Sequence, residues 1–130
     1  MSYSKVGLKL AAGKTLHAGV SIHNHGYWEG KEAAYHHAFD ELLAYMIVGF
    51  LKKEGAQSVA DFGCGDGSYV RVISESGMSC DGFDGNPCTE ELTKKMGTVL
   101  DLSQPFSLEK TYDWALCIEV GEHIPKKFED

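Results

Sequence analysis

An α/β fold, a parallel sheet with helices on both faces, is predicted by three observations. Strand-like and helix-like segments alternate along residues 56–130, the order that right-handed crossovers turn into parallel strands. Three glycines at alternate positions, Gly63, Gly65 and Gly67, separate the short run Val59–Phe62 from a helical pattern that begins at Ser68. Acidic residues stand where four strands run out, at Asp61, Asp84, Asp101 and Glu119. Ligands of parallel sheets collect at those carboxyl ends. A glycine loop before a helix lets a ligand lie against bare main chain, because no Cβ holds it off.

Composition narrows the class. The 130 residues suffice for one domain with a single core. A balance of 43% hydrophobic and 24% charged residues is that of a globular chain and argues against disorder. The formal charge of -7 disfavours nucleic acid as the main partner. The pairs Lys52-Lys53, Lys94-Lys95 and Lys126-Lys127 are scattered and suit solvated helix ends. Cys64, Cys80, Cys88 and Cys117 form no CxxC pair, so reduced thiols acting as small apolar fillers are expected. The apolar runs of Met1–Val20 are broken by lysine and glycine, which suits neither a signal peptide nor a membrane span. These features together predict a soluble, cytoplasmic protein.

In chain order, residues 1–30 show no sustained period and read as an irregular arm with an extended piece at Val20–Ile22. Residues 31–130 read as the domain proper. His23, His25, His36 and His37 lack the spacing of a convergent ligand set, so no metal is expected. Tyr27 and Trp28 form an aromatic pair that could cover a pocket, although packing of the arm is the default. A long helix is predicted over Lys31–Glu54, with Phe39, Leu42, Leu43, Met46, Ile47, Phe50 and Leu51 as its inner stripe and Gly55 as its stop. Then follow a strand into Asp61, a helix over Ser68–Ser76, and a strand over Met78–Phe83. A helix capped by Asn86 and Pro87 and reaching Met96 comes next, then a strand at Thr98–Leu100. A fourth strand over Tyr112–Ile118 leads to a loop and a helix start at Lys126.

The ligand is narrowed by charge. A dinucleotide site would also place an acid about 20 residues after its glycines to take the ribose, and Asp84 fits that role. The glycines here are spaced G-x-G-x-G, however, not G-x-G-x-x-G. Asp61 precedes the loop, where a carboxylate suits a cation better than a pyrophosphate. Arg71 is the sole basic residue between Asp61 and Glu91. A cofactor with a sulfonium, an α-ammonium and no phosphate matches better.

With these residues in place, Val59–Gly67 resembles the first motif of the class I, Rossmann-like S-adenosylmethionine-dependent methyltransferases. Gly82–Asn86 resembles the second motif, Val99–Leu102 the adenine-contacting segment, and Tyr112–Pro125 the fourth-strand segment. Its Glu122-His123-Ile124-Pro125 ending is similar to that of the small-molecule branches. The resemblance implies S-adenosyl-L-methionine as cofactor, with Gly63 and Gly65 meeting its methionine part and Asp61 satisfying the ammonium. It implies Asp84 on the ribose hydroxyls, Asp101 on the adenine amino group, and Leu102 against the ring. Glu119 and Val120 would line the floor near sulfur, while Cys64, Gly67 and Gly85 belong to the same cofactor-binding segments.

His123 and Glu122 are the candidates by position for a catalytic base, with backbone hydrogen bonding the rival role for His123. The resemblance accounts for the first four strands of a seven-stranded sheet. It therefore implies a C-terminally incomplete domain whose fourth strand is an exposed edge, open to self-association or a covering partner. The expected function is methyl transfer to a small-molecule acceptor. A cofactor-binding module without catalysis is the alternative, and a nicotinamide-dependent oxidoreductase is a weaker one.

Overall fold

The structure, a computed structural model, describes residues 8–9, 15–17, 20–36, 39–118 and 120–128. Among them, 1–30 is not simply irregular. It contains four short antiparallel strands, β1 (Leu8–Lys9), β2 (Thr15–His17), β3 (Val20–Ile22) and β4 (Trp28–Glu29), paired in that order. Strands of two or three residues show too little alternation to be recognised before their partners are known.

The segment expected as one long helix divides. A 3-10 turn spans Lys31–His36, and α1 runs from Glu41 to Lys53. The cause is Asp40, whose carboxylate accepts from Leu43 N at 3.0 Å and so starts a helix rather than sitting inside one. The inner stripe is also rotated from the expected one. Ala44, Val48 and Leu51 are buried, whereas Leu42 and Met46 are 71% and 64% exposed. Gly55 ends the helix with φ +71°, as expected of a C-terminal glycine.

The second sheet organises the molecule. Strands β5 (Ser58–Phe62), β6 (Ser79–Asp84), β7 (Gly97–Val99) and β8 (Trp114–Cys117) are all parallel and lie in the order β7-β6-β5-β8. Helix α2 (Ser68–Glu75) crosses from β5 to β6, and the short α3 (Thr89–Leu92) from β6 to β7. Helix α3 stops well before the expected Met96, because Lys94 and Lys95 turn into the left-handed region (φ 52° and 68°). From β5 the chain moves outward to β6 and β7, then returns to the other flank as β8. Strand order therefore reverses beside β5, the place where α/β sheets open a ligand crevice.

One sheet face packs Val59, Cys64 and Cys80 against Val70 and Ile73 of α2 and Val48 and Leu51 of α1. The other carries stacked Phe62 and Phe83, 5.4 Å apart, covered by Phe106 and Tyr112. Among the described residues β8 is an edge strand, with Trp114 38% exposed and in ring contact with Phe50 of α1. No described helix is long and apolar enough to cross a membrane.

Candidate functional site

The β5–α2 loop explains its own glycines. Gly63, Gly65 and Gly67 all have positive φ (79°, 57° and 80°), a region costly for any residue with a Cβ. The loop is tied to the next strand: Gly63 N and Cys64 N both donate to Phe83 O, and Gly65 N donates to Asp84 Oδ2 at 3.0 Å. Asp84 Oδ1 accepts from Asn86 N at 2.9 Å. Each Asp84 oxygen is thus engaged once by main chain, which fixes the carboxylate plane and leaves a second lone pair on each. Val120 packs directly on Gly63, where a side chain would collide with it.

Above this loop lies an open cleft of about 1080 Å³, counting its mouth. Asp61, Gly63, Cys64, Gly65, Asp84, Gly85, Asp101, Leu102, Val120 and His123 all line it. Of the other predicted residues, Gly67 is not on the wall. It begins α2 and lies against Thr93, so its role is the turn itself. Glu122 is also off the wall, with Oε1 3.8 Å from His123 Nε2. Glu119 and His37 lie outside the described residues. Cys64 presents main chain to the cleft while its sulfur points into the core over Gly82; burial pushes its thiol up, so it is no nucleophile.

Asp61 is the unusual member. It is 3% exposed, and its Oδ2 is buried with no hydrogen-bond partner among the described residues. Burial, with Asp84 as a secondary cause, pushes its carboxyl up to about 7. An orphaned buried carboxylate oxygen in a cleft wall fits a cationic donor arriving from outside. The α-ammonium of S-adenosylmethionine is such a group, and the free lone pairs of Asp84 suit paired hydroxyls. Among the described residues, no set of three His, Cys, Asp or Glu converges as metal ligands.

The N-terminal loop supplies a wall that sequence reasoning had only hinted at through Tyr27 and Trp28. His25, Gly26, Tyr27 and Trp28 all face the cleft. The Tyr27 ring covers Gly85, where a Cβ would sit 2.5 Å from it. Trp28 meets the His123 ring edge-on at 5.8 Å. His25 Nδ1 lies 2.5 Å from Asp101 Oδ2. Phe39 and Tyr69, in edge contact with each other, also line the cleft, with Asp66, Ser68, Ser103, Ile118 and Ile124.

Tyr27 and Lys31 have the Tyr-x-x-x-Lys spacing of a nicotinamide oxidoreductase pair. Lys31 is nevertheless absent from the wall, its Nζ 2.6 Å from Glu91 on the surface.

The comparisons agree with this geometry. The solved methyltransferase domain of bacterial CtHen1-C is similar in fold, with a TM-score of 0.52 and 23% identity over 66% of this chain. The match spans only 53% of that protein, about half its length. Comparison with curated proteins gives no match. The sequence matches the family model described as a methyltransferase domain over residues 27–129, most of its length. With its Rossmann-like sheet and glycine-loop cleft, the chain belongs to the methyltransferase domain family.

Proposed function

We propose that the chain binds S-adenosyl-L-methionine in the β5–β8 crevice and serves methyl transfer to a small acceptor. The observation that carries this is the buried Asp61 Oδ2 beside the glycine loop, without a hydrogen-bond partner among the described residues. Asp61 would receive the ammonium, Asp84 the ribose hydroxyls and Asp101 the adenine amino group. The cofactor, when bound, supplies a methyl carbon already activated by a positive sulfur. The chain then has to align the acceptor with that carbon and exclude water. Val120 and Ile118 form an apolar floor, and Trp28, Tyr27, Phe39 and Tyr69 an aromatic wall.

No lysine or arginine stands among the described residues of the wall, while Asp61, Asp66, Asp84 and Asp101 do. Such a cleft disfavours negative charge beyond the cofactor's own carboxylate, which supports an uncharged or cationic acceptor with a flat body. His123, on the wall and 45% exposed, is placed to take a proton from an acceptor that arrives protonated.

A titration with S-adenosylhomocysteine followed by turnover on the same sample tests the reading. Binding with turnover supports it. Binding without turnover leaves a cofactor-binding module, and binding of NAD instead overturns the cofactor assignment. His123→Ala should cut turnover about 10²-fold with cofactor affinity nearly unchanged. Full turnover in that variant removes the base role.

A further inference from the structure

The N-terminal loop does more than lie over the cleft. Asp101 follows β7 and is held through both oxygens. Oδ1 accepts from Ser103 N at 3.0 Å and Ser103 Oγ at 2.7 Å, within its own turn. Oδ2 has a partner 76 positions earlier in the chain, His25 Nδ1 at 2.5 Å. A carboxylate only accepts, so His25 must carry its proton on Nδ1. The imidazole is itself braced by three rings: His23 at 4.8 Å edge-on, Tyr27 at 6.5 Å and Phe128 at 4.9 Å. His25 N also donates to His23 Nδ1 at 3.2 Å, which closes the loop on itself. The pair is about a quarter exposed, at the mouth of the cleft rather than in the core.

We propose that His25 is a positioning residue for base recognition: by holding Asp101 Oδ2 it fixes the carboxylate to accept an exocyclic amino group, and so selects adenine over a deaminated purine. The inference rests on the cofactor reading above. Ser103 alone pins one oxygen and leaves the carboxylate free to rotate about it. His25 pins the second oxygen, leaving one lone pair, on Oδ2, in a fixed direction. An amino group offers a hydrogen to that lone pair. A purine with oxygen at the same place sets acceptor against acceptor, which the site cannot relieve by turning. Tyr27, on the same loop, covers Gly85 just after Asp84, so one element reaches both the ribose and the base side of the cleft.

The test compares S-adenosylhomocysteine with S-inosylhomocysteine, which differs by oxygen for the amino group, by calorimetric titration of the full chain. Wild type should prefer the adenosyl ligand about tenfold or more. His25→Leu should bring the two within about twofold by weakening the adenosyl ligand alone. His25→Asn, whose amide can donate to the same oxygen, should keep most of the preference. Equal weakening of both ligands in His25→Leu would reduce the residue to a wall, and an unchanged ratio would remove any role; either overturns the inference.

If His25→Leu does not fold, wild type still decides. The ¹⁵N signals of the His25 ring should show Nδ1 protonated and should move on adding S-adenosylhomocysteine but not homocysteine. An unprotonated Nδ1, or a ring indifferent to the nucleoside, overturns it. Failure of wild type to bind S-adenosylhomocysteine at all would instead defeat the cofactor reading, and this inference with it.

Discussion

Asp61 and Asp101 are both aspartates at the carboxyl ends of parallel strands, yet the fold treats them in opposite ways. Asp61 is buried under the glycine loop, keeps one oxygen without a partner among the described residues, and has its carboxyl pushed up to about 7. Asp101 sits at the rim with both oxygens engaged. Partial burial would raise its carboxyl, but hydrogen bonds from Ser103 and His25 outweigh that and hold it below the usual range. The difference teaches how the two ends of the cleft recognise. On the proposed reading, the floor leaves a carboxyl for the ligand's ammonium to ionise. The rim is completed by the chain and presents a shaped acceptor.

The largest effect should come from Asp84, which stands between the two and serves both. Asp84→Ala removes the acceptor of Gly65 N and Asn86 N as well as the proposed ribose acceptor. S-adenosylhomocysteine affinity should fall at least ~100-fold, with a lower melting temperature, as several hydrogen bonds of about 1–3 kcal/mol are lost together. Retained binding would mean that the ribose lies elsewhere.

Asp61→Asn comes next, and it separates binding from stability. Ligand affinity should fall by about 2–3 kcal/mol, the worth of a hydrogen bond between charged groups. The ligand-free protein should gain stability at pH 7–8. The sign follows from its carboxyl, which titrates at about 7 in the fold against 3.8 unperturbed. Between those values the folded state keeps a proton that the unfolded chain has lost. Wild-type stability should therefore fall as pH rises through that window, by at most about 1.4 kcal/mol per pH unit, and level off above it. Denaturant melts from pH 4 to 8 check this, and a wild-type curve that matches Asp61→Asn would refute the buried acid.

Asp101→Asn should be mildest, lowering affinity for S-adenosylhomocysteine about tenfold or less with little change in melting temperature. A loss as large as that of Asp84→Ala would mean that the rim carries structure as well as recognition.

The floor was legible in the sequence for a local reason. Val59–Phe62, the alternate glycines and the helix at Ser68 are contiguous, and their strand–loop–helix reading needs no distant partner. The acids were legible because each directly ends an apolar run. The rim was not, because the contact between His25 and Asp101 spans 76 positions and depends on how the arm folds back. Tyr27 and Trp28 signalled a cover without saying over what. The division of the 31–54 segment was missed although Asp40, a strong N-cap type, was in view. Its apolar neighbours on both sides kept the helical period running, and only the bond to Leu43 N shows where the helix begins.

The central claim, that Asp61 receives the cofactor's ammonium, is tested most directly by proton counting. Calorimetric titrations at pH 6.5, in two buffers of different ionisation enthalpy, give the protons released on binding. S-adenosylhomocysteine should release a substantial fraction of one proton as Asp61 ionises against the ammonium. 5′-Methylthioadenosine, which lacks the amino-acid portion, should bind without that release. Equal proton counts for the two ligands, or an unchanged count in Asp61→Asn, would contradict the account.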